Sequence, residues 1–130
     1  SPWISVYPWS NGFGTKYSDP STLPTGIGFG AAFSPDGNTL AVTHEQSPYV
    51  SVYAWSSGFG TKYSDPSTVP GNDSGRSAAW NADGTVLAIA HQGSPYISVY
   101  PWSNGFGTKF SDPSTLPTGD CSDVAFRPTS

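Results

Sequence analysis

Apolar and polar positions alternate with a period of two in several short stretches of this chain, the spacing of a half-buried strand. From Trp3 to Trp9, the residues Trp3, Ser5, Tyr7 and Trp9 fall on one side, with Ile4, Val6 and Pro8 on the other. Aromatic and β-branched side chains at this density favour extended backbone. Leu40 and Val42 alternate with Ala41 and Thr43, and Leu87 and Ile89 with Ala88 and Ala90, which predicts a second type of strand. Ala31 to Phe33 and Ala78 to Trp80 each precede an Asp-Gly turn, Asp36-Gly37 and Asp83-Gly84, and so predict the first arm of a hairpin. Gly14 to Tyr17 predicts a fourth type of strand, closed by Asp19-Pro20.

These stretches recur. SPWISVYPWSNGFGTKYSDPST at 1–22 returns at 47–68 and again at 94–115, at spacings of 46 and 47 residues. The first and third copies differ only at Trp3/Tyr96 and Tyr17/Phe110. Between them lie the more divergent segments 30–46 and 77–93, and a shortened third, DVAFRPTS at 123–130. A period of this length fits four-stranded propeller repeats and helical repeats alike, and the strand patterning selects the former. The reading is all-β: four-stranded antiparallel units, about 2.75 of them. Residues 1–29 form a partial unit, 30–76 and 77–122 complete units, and 123–130 the first strand of a next one. Eleven strands are expected. Propellers hold 4–8 blades, so the chain is not expected to close a ring alone.

AAFSPDGNTLAVTHEQSPYVSVYAW resembles a blade of a WD-repeat β-propeller, with its VAFSPDG, LAS and IKVW progression. The resemblance covers nearly the whole chain as near-identical units, similar to recently amplified repeats of some bacterial and phage propellers. It implies a propeller-type blade. Two features depart from the family: Pro8-Trp9, Ala54-Trp55 and Pro101-Trp102 stand where it has Trp-Asp, and its Gly-His pair before the first strand is missing. Its Asp-His network is therefore not carried over.

Composition narrows the function classes. Charged residues make up 11% of the chain against an ordinary ~25%. The net charge is -4 and no Lys/Arg run occurs, so neither nucleic acid nor an anionic membrane is an expected partner. No apolar run is long enough for a transmembrane helix, and a soluble chain is expected, whether extracellular, virion-associated or elsewhere. The lone Cys121 excludes an internal disulfide. Asn72-Asp73-Ser74 matches the short N-glycosylation sequon. No phosphate-loop, nucleophile-elbow or zinc-protease motif occurs, so no enzyme, cofactor or metal is expected.

Two sets of residues stand out. His44 and His91 occupy the same repeat position and read either as polar ligand contacts or as hydrogen-bonding structural groups. Trp9, Trp55 and Trp102, with Phe13, Phe59 and Phe106 four residues later, read either as packing between units or as a ligand cleft that stacks on sugar rings. Asp19, Asp65 and Asp112 read as turn residues, and Lys16, Lys62 and Lys109 as edge charges. The expected function is a binding or structural scaffold that associates with further copies of itself or with further repeats of one polypeptide. The alternative is a multivalent carbohydrate-binding propeller.

Overall fold

The computed structural model describes residues 1–129. Among them there are strands and turns and no helix. Seven strands form: β1 (Gly28–Phe33), β2 (Thr39–His44), β3 (Val50–Trp55), β4 (Phe59–Lys62), β5 (Gly75–Trp80), β6 (Val86–His91) and β7 (Ile97–Pro101). They make a four-stranded sheet in the order β1-β2-β3-β4 and a three-stranded sheet in the order β5-β6-β7. All pairings are antiparallel. The two sheets share one register, with Leu40 opposite Tyr53 and Leu87 opposite Tyr100.

The hairpin turns form for local reasons. Gly37 and Gly84 both have φ of 75°, a conformation open to glycine. Asp36 accepts hydrogen bonds from the Ser34 hydroxyl (2.7 Å) and the Asn38 N–H (3.0 Å), which hold its carboxyl below the usual range. Asp83 does the same with the Thr85 hydroxyl and N–H.

Seven strands form where eleven are expected, and the differences have physical causes. Residues 3–17 make a hairpin in which Gly14 and Tyr17 donate to the carbonyls of Pro8 (2.8 Å) and Val6 (2.9 Å), yet only the isolated Trp9–Phe13 bridge appears. The third copy behaves alike, with Gly107 donating to Pro101 and Phe110 to Val99 beside a lone Trp102–Phe106 bridge. Only the middle copy builds a fourth strand, β4, and there Ala54 stands in place of Pro8 and Pro101. Proline has no N–H to give to the ladder. The expected first strand over 123–130 is irregular from Asp123 to Phe126, because no second strand lies beside it; its last residue falls outside the described residues. Ser77 holds it at Asp123 (2.6 Å), and the residues just before it are tied by Cys121 N–H to the His91 carbonyl and by Gln92 to Asp120.

The core lies between the sheets. Ala41, Val50 and Val52 of the first sheet meet Leu87, Ile89, Tyr100 and Trp102 of the second. On the other face of the first sheet, Leu40, Val42 and Tyr53 are covered by Ile4 and Val6 of the N-terminal hairpin. That is the alternation expected of Trp3 to Trp9, with Ile4, Val6 and Pro8 inward. β1 and β2 also pack against β5. Gly30 of β1 makes this approach possible, since a Cβ there would lie 2.8 Å from the Arg76 carbonyl oxygen of β5.

Candidate functional site

Each Trp-Phe pair is built by a turn of fixed shape. Asn11, Ser57 and Asn104 have φ of 51–55°, and the glycines that follow have φ of 145–148°, a region closed to residues with a Cβ. The turn sets Trp and Phe edge to face, with ring centroids 5.2, 5.1 and 5.0 Å apart in the three copies.

What surrounds the pairs differs. Trp55 also meets Tyr17 of the preceding hairpin at 4.9 Å and Phe33 of β1 at 5.3 Å. Trp102 repeats this with Tyr63 at 4.9 Å and Trp80 of β5 at 5.4 Å. The Trp80 indole N–H in turn donates to the Ala32 carbonyl at 3.0 Å. Trp9 has only Phe13 and stands 69% exposed, while Trp102 is 8% exposed. Two of the three pairs are thus packing across a boundary between units, and one is an open aromatic surface. Sequence reasoning missed the cross-boundary partners Tyr17, Tyr63, Phe33 and Trp80. Their recurrence at matching repeat positions was the available signal.

His44 and His91 are fully buried. Each Nε2 lies 2.9 Å from a hydroxyl on the neighbouring strand, Ser51 or Ser98. The Nδ1 of His91 donates to the Gln92 carbonyl at 2.9 Å, so the Nε2 accepts from Ser98. Burial pushes both imidazoles below their ordinary pKa. Buried, neutral and internally bonded, they join strands and face no open surface. Among the described residues no three His, Cys, Asp or Glu side chains gather as metal ligands.

Tyr53 and Tyr100 tie units together. Their hydroxyls donate to the carbonyls of Thr22 (2.7 Å) and Thr68 (2.6 Å) in the preceding loop. Burial raises both phenols, that of Tyr53 to about 12. Lys16, Lys62 and Lys109 each pair with the aspartate three residues on, Asp19, Asp65 and Asp112. The lysines and aspartates, read separately in the sequence as edge charge and turn residue, form one clip per unit.

Two of the open grooves lie beside these residues. A polar one of about 680 Å³ runs between the loop at Asp19–Thr22 and the strand at Phe59–Lys62, lined by Asp19, Ser21, Thr61, Lys62, Tyr63 and Asp65. An apolar one of about 250 Å³ lies beside the N-terminal hairpin, lined by Ile4, Val6, Phe13, Ala31, Phe33 and Leu40. Neither a protein-family model nor a curated protein matches the chain.

Proposed function

We propose that the chain is a non-catalytic β-propeller repeat unit, a scaffold that is completed by further copies of itself or further repeats of one polypeptide. The observation that supports this most strongly is the half-built aromatic nest at Trp9. In the two filled nests, the tryptophan takes one ring from the preceding unit (Tyr17, Tyr63) and one from the first strand of its own unit (Phe33, Trp80). The residues at those repeat positions that would serve Trp9 stand at the other end of the chain: Phe110, which is 48% exposed, and Phe126. In the same register Tyr7, 45% exposed, lacks for its hydroxyl the loop carbonyl that Thr22 and Thr68 supply to Tyr53 and Tyr100, and Thr115 is their counterpart. One end therefore carries what the other end wants. A head-to-tail contact of this kind closes into a ring or continues as a filament.

Light scattering with native mass spectrometry at micromolar concentration tests the reading. A defined oligomer or filament that dissociates on Trp9→Ala is the expected result. A monodisperse 13.6 kDa monomer would overturn assembly between copies.

A second reading, a carbohydrate-binding scaffold, draws support from the polar groove, where hydroxyls and the carboxylates of Asp19 and Asp65 lie beside the ring of Tyr63. Few precisely placed polar groups around an aromatic surface suit a sugar. Sugar binding on a glycan array, lost on Asp65→Ala with the circular dichroism unchanged, supports it. Binding lost instead on Trp9→Ala would move the site to the exposed aromatic pair.

A further inference from the structure

The N-terminal hairpin has one edge paired and one edge free. The carbonyls of Val6 and Pro8 accept from Tyr17 and Gly14, so the even-numbered residues of this strand face the hairpin's other arm. In an extended strand the odd-numbered residues then face the opposite way, and the main-chain groups of Ser5 and Tyr7 point out along the free edge. In the two sheets the same edge is occupied. There the N–H groups of Trp55 and Trp102 donate to the carbonyls of Asn38 and Thr85, and β2 and β6 run alongside β3 and β7.

Side chains tell the same story. Ser51 and Ser98 are each 1% exposed beneath the histidine of the neighbouring strand, whereas their counterpart Ser5 is exposed. Tyr53 and Tyr100 are fully buried; Tyr7 is 45% exposed. Beside this edge lies the apolar groove between Ile4 and Val6 on one wall and Ala31, Phe33 and Leu40 on the other. In the next interval that position is filled, since Ala32 and Ala41 pack there against the second sheet and Trp80 is covered.

We infer that the free edge at Ile4–Tyr7 is an acceptor for one extra β-strand, and that its occupant is a strand of the β2/β6 type, with the pattern Leu-Ala-Val/Ile-x-His, supplied from outside the chain's own paired strands. The register of the two sheets specifies the seating. Leu40 and Leu87 lie opposite Tyr53 and Tyr100, Ala41 and Ala88 opposite Val52 and Val99, and Val42 and Ile89 opposite Ser51 and Ser98. The occupant's Leu thus sits opposite Tyr7, its Ala opposite Val6 and its Val or Ile opposite Ser5. Its terminal His reaches the Ser5 hydroxyl as His44 and His91 reach Ser51 and Ser98. Strand addition of this kind takes affinity from main-chain hydrogen bonds and specificity from alternate side chains. The inference rests on the repeat reading of the fold. It goes further in naming what that reading leaves out: the first hairpin offers a third and fourth strand, the 123–126 segment offers a first, and the second is the one that neither end provides.

The probe is a fluorescent peptide of residues 84–93, GTVLAIAHQG, titrated with the full chain and with the Trp9→Ala chain, which loses the exposed ring of the proposed contact between copies and keeps the groove residues Ile4, Val6, Ala31, Phe33 and Leu40. Saturable one-to-one binding is expected, with hydrogen exchange slowed at the Ser5 and Tyr7 amides. A peptide carrying Leu87→Asp and Ile89→Asp should lose binding at least tenfold, and His91→Ala in the peptide should weaken it several-fold. Absence of binding, or protection confined to residues other than 3–9, overturns the acceptor site. The fate of the assembly reading is separate: an oligomer that captures no peptide leaves assembly standing without the slot. A monomer that captures the peptide leaves the slot standing without assembly.

Discussion

Residues 8–16 and 101–109 are the same nine amino acids, Pro-Trp-Ser-Asn-Gly-Phe-Gly-Thr-Lys, and they fold the same way. Asn11 and Asn104 have φ of 55° and 51°, and the Trp-Phe centroids lie 5.2 and 5.0 Å apart. Yet Trp9 is 69% exposed and Trp102 8%. Local conformation is set by the turn chemistry of Asn-Gly, while burial is set by the preceding unit and by the strand hydrogen-bonded alongside. Identical sequence therefore carries unequal energy.

The largest expected effect separates the two tryptophans directly. Trp102→Ala should cost about 3–5 kcal/mol in urea or guanidinium unfolding, as for other buried tryptophans. Trp9→Ala in a dilute monomer should fall within about 0.5 kcal/mol of the parent chain. Equal losses at the two sites would mean that the nest at Trp9 is already filled.

Next comes pH. Both histidines lie in the sheets, and none lies in the N-terminal hairpin. Their folded pKa values are depressed by burial, so as pH falls below about 6.5 the unfolded chain takes up protons before the folded one does. Stability should be flat between about pH 7 and 9 and decline below about 6.5, until the folded pKa values are passed. Thermal melts across pH 7.5 to 5 check this, and a doubly substituted His44→Gln, His91→Gln chain should lose most of the slope.

A smaller difference is expected at the tyrosines. Tyr100→Phe removes the donor to the carbonyl of the exposed Thr68 and should cost about 0.5–1.5 kcal/mol, whereas Tyr7→Phe should be close to neutral. The smallest concerns the clips. Lys109→Gln should cost no more than about 1 kcal/mol and Lys16→Gln less, since the Lys109 side chain is 14% exposed and that of Lys16 is 36%. Urea titrations at low and high salt read both.

The strand types in the middle of the chain were legible because periodicity two and Asp-Gly turns act locally. Ala31–Phe33, Leu40–Thr43 and their copies appear within β1, β2, β5 and β6, a residue or more longer at the ends. The ends of the chain were not legible, because a ladder needs a partner that repetition in sequence does not guarantee. Residues 3–9 carry the right pattern with a neighbour on one edge only, and 123–126 carry it with no strand alongside. Pro8 and Pro101 against Ala54 was a readable difference, and its consequence for the fourth strand is plain once the edge is known. The roles of Trp55 and Trp102 could not be read from spacing, since a stacking platform and a packing wedge use the same rings. Which one a tryptophan becomes depends on Tyr17 and Tyr63 arriving from another unit.

The tyrosine hydroxyl bonds carry a mechanical consequence. Tyr53 holds the loop at Thr22 and Tyr100 the loop at Thr68, so each staple closes a span of 31 or 32 residues that crosses from one repeat to the next. Tension applied at the two termini loads both ends of the chain, and in the N-terminal hairpin it is borne by the two backbone bonds at Pro8 and Val6 and by the contacts of Ile4 and Val6. Once that hairpin peels, the staple at Tyr53 takes the strain in line with the chain, and its rupture releases the loop behind it in one step. Extension under force should therefore be serrated, each tooth about one repeat long.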